Sequence, residues 1–270
     1  MSGLHKAGKK LLRAVANYDP SYYDMYADTN ESLFAQLYLD RLVPAVEAAG
    51  IRPPATVLDA GCQAGRLAIP LARLGFRVTG LDTSGFALRR AQQHARQAGV
   101  DVTLWQGDLL QRLRAAPRPQ FDIVVCAEVV YLAPAFQEMV SALADAVKPG
   151  GLLCVSHRPK MYYLLEAMRL YDISAAERVL RSGEGPVQGN RYSNWQTPDE
   201  LRALYEGLGL RWLGAHPIDR IAWLSRMDLG KLSRTEQTEW LELERELPDQ
   251  TGGCARYLLA IAMKPRNPTA

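Results

Sequence analysis

Apolar runs of strand length alternate with longer amphipathic stretches through the middle of the chain, between residues 55 and 156. The runs are rich in valine, leucine and isoleucine, and the stretches between them have the apolar spacing of helices. This alternation predicts parallel strands joined by right-handed crossovers, with helices on both faces of the sheet. The five runs begin at Thr56, Arg77, Val102, Phe121 and Leu152.

Beyond residue 156 the regular alternation stops, and the pattern becomes that of helices and loops. Lys160–Tyr171 is predicted as a helix rich in tyrosine and leucine, and a second helix covers about Ser174–Leu180. Ser182–Pro186 is predicted as a flexible loop because it combines serine, two glycines and a proline. These segments form an insertion after the fifth strand.

Two later helices carry capping boxes, in which a serine or threonine is followed three residues later by glutamate. The first pairs Thr197 with Glu200, with Pro198 at the first helical position, and the second pairs Ser233 with Glu236. The last two strands are predicted at Leu210–Ala215 and Ala255–Ala262.

A glycine turn follows the first predicted strand. Thr56–Leu58 leads through Asp59 to Gly61 and Gly65, and an apolar helix comes next. Glycine lets the backbone approach a ligand closely, and a helix N-terminus offers unpaired N–H groups to an anion. The pattern indicates a nucleotide site, although by itself it is equally typical of an ordinary strand-to-helix turn.

Acidic residues stand at the ends of the next two strands. Asp82 ends the second strand about twenty residues beyond the turn, where a carboxylate can accept both ribose hydroxyls. Asp108 comes just after the third strand. As far as Asp82, a dinucleotide enzyme fits the sequence equally well.

The complete ordered set of five motifs resembles the class I S-adenosylmethionine-dependent methyltransferases, over residues 55–156. The resemblance implies an α/β, Rossmann-like fold: a mostly parallel seven-stranded sheet with helices on both faces and an antiparallel last strand. It also implies S-adenosyl-L-methionine as the cofactor, with Asp59, Gly61 and Gly65 around its methionine part.

The resemblance further places Asp82 on the ribose, Asp108 on the adenine amino group and the Leu109 backbone N–H beside the ring. Cys126 and Glu128 would border the methyl donor. The implied cofactor-binding set is Tyr26, Asp59, Gly61, Cys62, Gly65, Asp82, Thr83, Asp108, Leu109, Cys126 and Glu128.

Two positions depart from patterns found in such enzymes. Gln63 stands where the family commonly has a further glycine, so its side chain either points away from the cofactor or narrows the pocket. Relatives with a quinone-biosynthesis-type pattern have a histidine four residues after the acid of the fourth strand, where this chain has Leu132. Gln63 bears on cofactor affinity, and Leu132 argues against that particular base.

The chain is predicted to divide into an N-terminal helical cap, 1–50, and a methyltransferase domain, 51–270. The cap has a helix at Glu31–Ala49 and several tyrosines, which either pack on the sheet edge or line the cleft. Insertions at about 157–196 and 219–253 are predicted to form a lid or, as the alternative, a subunit contact.

Candidates for the chemistry lie after the fifth strand. His157 is a candidate general base for a hydroxyl acceptor, because it follows that strand directly; the alternative is an ordinary hydrogen-bonding residue. Around Tyr26 and His157 the sequence is also similar to glycine N-methyltransferase-type enzymes. The candidate substrate-binding residues are Tyr22, Arg158, Tyr162, Arg191, Tyr192 and Trp195.

Composition narrows the function further. The chain is 48% hydrophobic with a formal net charge of +3, and its charges are dispersed, which does not indicate a nucleic-acid or membrane surface. The four cysteines form no metal-binding spacing with each other or with histidine, so no metal is expected and buried free thiols are predicted. Without a signal-peptide pattern or a membrane-spanning apolar run, the protein is expected in the cytoplasm, as a monomer or homodimer.

The leading hypothesis is methyl transfer from S-adenosylmethionine to a nitrogen or oxygen atom of a small molecule. The first alternative is a non-catalytic S-adenosylmethionine-binding protein with a regulatory or assembly role, which Gln63 and Leu132 keep open. The second is an RNA methyltransferase, which would need a basic face.

Overall fold

The computed structural model describes residues 23–115, 120–187, 189–249 and 254–266. The strands of its main sheet are β1 (Thr56–Ala60), β2 (Arg77–Asp82), β3 (Val102–Gln106), β4 (Phe121–Cys126), β5 (Val147–His157), β8 (Arg211–Ile218) and β9 (Tyr257–Met263). Their order across the sheet is β3-β2-β1-β4-β5-β9-β8. Neighbouring strands from β3 to β5 are parallel, whereas β9 is antiparallel to both β5 and β8. This confirms the predicted mostly parallel seven-stranded sheet with an antiparallel last strand.

Helices surround the sheet, and a separate hairpin made of β6 (Glu184–Val187) and β7 (Asn190–Asn194) stands beside it. Short 3₁₀ turns occur at Val130–Leu132 and Leu229–Lys231. The helices of the described residues are α1 (Thr29–Ala48), α2 (Ala68–Arg73), α3 (Gly85–Gln97), α4 (Leu109–Ala115), α5 (Phe136–Ala146), α6 (Lys160–Arg169), α7 (Ile173–Arg181), α8 (Pro198–Gly207), α9 (Ile221–Ser225) and α10 (Arg234–Glu246).

The core lies on both faces of the sheet, because successive side chains of a strand point to opposite sides. Val57 and Leu152 pack on one side, in a cluster that includes residues of α1, α2 and α3. Leu58 and Leu153 pack on the other side, with residues of α4, α5 and α8. Burial on both faces explains why the central strands are continuous apolar runs in the sequence.

The first insertion is an ordered unit of α6, α7 and the hairpin. The prediction of a flexible loop at Ser182–Pro186 is wrong for its second half, since β6 begins at Glu184 and pairs with β7. Trp195 is completely buried against this unit, and its Nε1 donates to the carbonyl oxygens of Val179 and Ser182 at 3.1 and 2.6 Å. The glycine-rich sequence therefore contains a hairpin, and Trp195, the residue directly after its second strand, ties it to the end of α7.

The second insertion is held by a buried ion pair. Helix α10 begins at the predicted capping box of Ser233 and Glu236. Near its end, Glu244 accepts hydrogen bonds from Arg220 Nε and Ile221 N, both at 2.9 Å. Both charged side chains of the Arg220–Glu244 pair are only 2% exposed. The pair therefore joins α10 to the start of α9.

Cys62, Cys126 and Cys154 are buried free thiols, as predicted. Within the described ranges, histidine, cysteine and acidic side chains do not form a group of three or more that could hold a metal ion. The helices in those ranges are all too short or too polar to cross a membrane.

Replacing Glu244 by alanine should destabilise the protein by about 3–5 kcal/mol, because it removes the carboxylate that faces the buried Arg220 charge. Urea unfolding followed by circular dichroism measures the change. Glu242→Ala is the matched control, since Glu242 is exposed on the same helix and its loss should change the unfolding free energy by less than about 0.5 kcal/mol. Equal effects of the two substitutions would contradict the anchoring role.

Candidate active site

A cleft of about 440 Å³ opens at the carboxyl ends of β1, β2 and β4. This is where open α/β sheets bind their ligands. Residues 23–28, called the N-terminal segment below, and the start of α1 close one side of the cleft. Its lining residues are Tyr23, Met25, Glu31, Asp59, Gly61, Cys62, Gln63, Arg66, Leu67, Leu81, Asp82, Thr83, Gly107, Leu109, Ala127, Glu128, Val129 and Tyr131.

The glycine turn is fixed to the neighbouring strand by its own backbone. Gly61 N and Cys62 N both donate to the carbonyl oxygen of Leu81, at 2.7 and 3.1 Å. Gly61 has φ +85°, and a Cβ there would lie 2.3 Å from Cγ2 of Val129. Only glycine therefore fits at this position of the cleft wall.

Asp82 presents its carboxylate to the cleft in a fixed orientation. Oδ1 accepts from Ser84 N at 2.8 Å, and Oδ2 accepts from Gln63 N at 2.9 Å. An ionised carboxylate offers about four lone-pair sites, so both oxygens keep accepting capacity. This is the arrangement that two adjacent ribose hydroxyls require.

Asp59 is a buried acid in the cleft wall with one oxygen left without a partner. Its side chain is 2% exposed, and its Oδ2 has no hydrogen-bond partner in the part of the chain that the structure describes. Burial raises the pKa of Asp59 to about 7, against the opposing effects of the Arg66 charge and the Ala68 N–H. A cationic ligand group beside Oδ2 would compensate for this burial.

Gln63 has φ +44° and ties the N-terminal segment to the glycine turn. Its Nε2 donates to the Tyr23 carbonyl oxygen at 2.7 Å, and its Oε1 accepts from Met25 N at 3.2 Å. In the same segment, Asp24 contacts Nε2 of His94 at 3.0 Å. Of the two alternatives for this side chain, the structure supports the one in which it forms part of the pocket wall.

Another part of the cleft wall carries a network of charged side chains centred on Arg66. Arg66 pairs with Glu31 of α1 and, at 2.6 Å, with Glu128 after β4. Glu128 also accepts from the Tyr257 hydroxyl at 2.7 Å, and its backbone N donates to Ser156 Oγ at 2.6 Å. Sequence reasoning identified Glu128 but missed Glu31 and Arg66, although Arg66 directly follows the glycine turn.

The structure brings most of the implied cofactor residues to the cleft, but not all. Tyr26 instead stacks on the His94 ring, with centroids 4.5 Å apart, and Asp108 is exposed and accepts from Gln111 N at the start of α4. Gly65 and Cys126 do not line the cleft either, and Cys126 is buried in the core. The residues that do line the cleft are Asp59, Gly61, Cys62, Asp82, Thr83, Leu109 and Glu128.

His157 does not lie where a base could reach a substrate. It is completely buried, its Nε2 lies 2.9 Å from the Tyr205 hydroxyl on α8, and burial lowers its pKa to about 3. The preceding residue, Ser156, points toward Glu128 in the cleft wall. Because side chains alternate along a strand, His157 faces the opposite side of the sheet. This corrects the prediction of a base at this position.

The predicted substrate-binding residues that the structure describes are also outside the cleft lining. The Arg158 guanidinium is enclosed by the rings of Tyr131, Tyr162 and Tyr257, at 4.9, 4.0 and 4.1 Å from their centroids. The Tyr162 ring therefore contacts the Arg158 guanidinium, and it also stacks on the ring of Trp223.

The remaining candidates belong to the hairpin unit. Arg191 is exposed on β7, and the Tyr192 hydroxyl donates to Glu184 at 2.7 Å. Trp195 is in the core of the insertion. Tyr22 lies outside the described residues.

This sheet order, with a glycine turn after the first strand and an acid ending the second, defines a nucleotide-cofactor enzyme with the methyltransferase architecture. A family model described as "Methyltransferase domain" matches residues 57–151. The chain belongs to the class I S-adenosylmethionine-dependent methyltransferases, whose cofactor is S-adenosylmethionine.

Several relatives are named ubiquinone biosynthesis O-methyltransferase. The one from Albidiferax ferrireducens is 34% identical over 63% of this chain and 67% of its own length. The one from Bordetella avium is 33% identical over 66% of this chain and 73% of its own length. In some other relatives of the same name the match spans less than two thirds of their length, for example 59% in that from Methylobacterium sp..

Among solved structures, magnesium protoporphyrin IX methyltransferase from Synechocystis PCC 6803 with bound SAH is similar with a TM-score of 0.59. The match is 18% identical and covers 96% of this chain and 99% of that one. At this identity the likeness supports the fold.

The residues of the cleft fit S-adenosylmethionine. The unpartnered Oδ2 of Asp59 suits the ammonium group of the methionine part, and the oriented Asp82 carboxylate suits the ribose diol. The absence of a side chain at Gly61 lets Val129 pack against the glycine turn, and both residues line the cleft.

Asp82→Ala should weaken binding of the demethylated cofactor at least tenfold, because charge-assisted hydrogen bonds contribute about 1.5–3 kcal/mol each. Isothermal titration calorimetry measures the affinity. Asp101→Ala removes an exposed aspartate before β3 and serves as the control. Wild-type affinity in Asp82→Ala would show that the ribose lies elsewhere.

Binding of the demethylated cofactor should release a proton through Asp59. The pKa of Asp59 is about 7 in the free protein, and a nearby ammonium group favours the carboxylate, so affinity should rise as the pH increases toward 7. Calorimetry in buffers of different ionisation enthalpy counts the released proton. Asp59→Asn should bind more weakly and lose this proton release; an unchanged release would exclude Asp59 as its source.

Proposed function

We propose that the protein transfers the methyl group of S-adenosylmethionine to a hydroxyl oxygen of a small molecule. The observation that carries this proposal is the pair of glutamates, Glu31 and Glu128, that face the cofactor cleft on either side of Arg66. A hydroxyl is a weak nucleophile until it loses its proton, whereas a neutral amine is already nucleophilic. Carboxylates at the cleft are therefore most useful to an oxygen acceptor.

The names of the relatives support an oxygen acceptor too, since they are described as O-methyltransferases of ubiquinone biosynthesis. The chain differs at Leu132, which is 49% exposed and provides no base. We infer that the acceptor class is shared and that the group removing the proton lies elsewhere in the cleft.

The cofactor supplies an activated methyl group on a sulfonium, with a neutral thioether as the leaving group. The protein's task is to align the acceptor and to exclude water. Positioning alone can contribute on the order of 7 kcal/mol or more to the lowering of the barrier. The wall formed by Tyr23, Met25 and Tyr131 is suited to a flat, apolar acceptor beside the charged network.

Other features of the proposal rest on the sequence. A small-molecule acceptor is favoured over nucleic acid because the net charge of +3 is small and dispersed. A cytoplasmic location, a monomeric or homodimeric state, the division at residue 50 and the lid role of the insertions stay predictions.

Matched acceptors should separate oxygen from nitrogen methylation. We expect the protein with S-adenosylmethionine to convert 3,4-dihydroxybenzoate to a methyl ether and to leave 3,4-diaminobenzoate and glycine unmethylated. Mass spectrometry identifies the product and chromatography quantifies the demethylated cofactor. Methylation of the amines alone would refute the oxygen acceptor. Tight cofactor binding without turnover on a broad panel of both classes would support the non-catalytic alternative.

A further inference from the structure

A line of charged hydrogen bonds ends at Glu31. At its inner end, Arg158 Nη2 donates to the Tyr257 hydroxyl at 3.1 Å, and that hydroxyl donates to Glu128 Oε2 at 2.7 Å. Arg66 Nη2 donates to the other oxygen, Oε1, of Glu128 at 2.6 Å, and Arg66 Nη1 donates to Glu31 Oε2. Glu128 is thus held at both carboxylate oxygens.

Glu31 is held at one oxygen only in the described part of the chain. Its position is fixed because its backbone N donates to Asp28 Oδ1 at 3.0 Å, at the start of α1. Its side chain is 13% exposed, and it lines the cofactor cleft. One carboxylate oxygen therefore remains to meet a ligand in the cleft, with a route for a proton to solvent.

From this geometry we propose that Glu31 is the general base that removes the proton of the acceptor hydroxyl, with Arg66 and Glu128 as positioning residues. The inference rests on the proposed function, because only an oxygen acceptor needs such a base. No comparison assigns a role to these residues, and they come from three separate parts of the chain.

The charges around Glu31 support this role. Glu31 and Glu128 both pair directly with the Arg66 guanidinium, and a second guanidinium, that of Arg158, reaches only Glu128, through the Tyr257 hydroxyl. Burial and the negative charge of Glu128 raise the pKa of Glu31 to about 7, with Asp28 in the same direction and Arg66 and Arg256 opposing. Burial also acts against ionisation of Glu128, but Arg66, the Tyr257 hydroxyl and Arg158 hold the pKa of Glu128 below its usual range. Glu31 is therefore the member of the pair that gains and loses a proton near neutral pH.

The step balances without a further reactant. The acceptor's O–H proton passes to the Glu31 carboxylate as the bond from oxygen to the methyl carbon forms. The bond from sulfur to that carbon breaks, and its electron pair stays on sulfur, which becomes a neutral thioether. Glu31 then returns its proton to solvent at the cleft opening.

The first test needs no substrate. Carboxyl carbons of glutamate are labelled with ¹³C, and their NMR shifts are followed against pH in the cofactor-free protein. We expect one resonance that titrates near pH 7 and that is absent in Glu31→Gln but retained in Glu47→Gln, an exposed position of the same helix. If Glu31→Gln removes no such resonance, Glu31 is not the base, whatever the acceptor.

The second test uses activity with two catechols, 3,4-dihydroxybenzoate and the more acidic 4-nitrocatechol. Glu31→Gln should lower kcat for the first at least about 100-fold, the lower range of general-base contributions, and Glu47→Gln should not change it. The wild-type kcat should fall as the pH decreases below 7, and Glu31→Gln should lack this dependence. The defect should shrink for 4-nitrocatechol, which loses its proton more readily.

Other outcomes separate the two proposals. An equal loss with both catechols and an unchanged pH profile would assign Glu31 a structural role only, and would overturn the inference. If the wild type forms methylamines but no methyl ether, the proposed function fails, and the NMR titration still reports on Glu31. Glu31→Asp, which keeps the charge on a shorter side chain, should retain more activity than Glu31→Gln if the charge is what matters.

Discussion

The double ion pair of Arg66 connects three parts of the chain that are far apart in sequence. Arg66 follows the glycine turn, Glu31 lies in the first turn of α1, and Glu128 follows β4. The Arg66 guanidinium is 7% exposed, and its loss would leave the Glu31 and Glu128 carboxylates close together in the cleft wall without the cation between them. Arg66 therefore holds the first turn of α1 at the cleft wall, in addition to the apolar packing of that helix on the sheet.

The sheet could be predicted from the sequence because its central strands are buried on both faces and so form continuous apolar runs. The capping boxes at Thr197 and Ser233 could be predicted equally well, since all their hydrogen bonds are made within four residues. Asp59 and Asp82 could be placed because strand ends meet at one edge of a parallel sheet. Each of these features depends on short-range pattern.

The substrate end of the cleft could not be predicted in the same way. Whether a residue at a strand end faces the cleft depends on a single step in register, as Ser156 and His157 show. Glu31 becomes part of the site only through the packing of α1 onto the sheet, for which the sequence has no local signal. The hairpin is likewise held by a contact that its own sequence does not indicate: Trp195, directly after its second strand, donates a hydrogen bond to the Ser182 carbonyl oxygen.

The side chain of Gln63 ties the glycine turn to residues 23–25, which form another part of the wall of the same cleft. Tyr23 and Met25 line the cleft, and their backbones are tied to Gln63 by two hydrogen bonds. A ligand that leaves the cleft past this segment has to wait for those bonds to open. We therefore expect Gln63 to affect the rate at which spent cofactor leaves, and we expect cofactor exchange to limit turnover when the methyl transfer itself is fast.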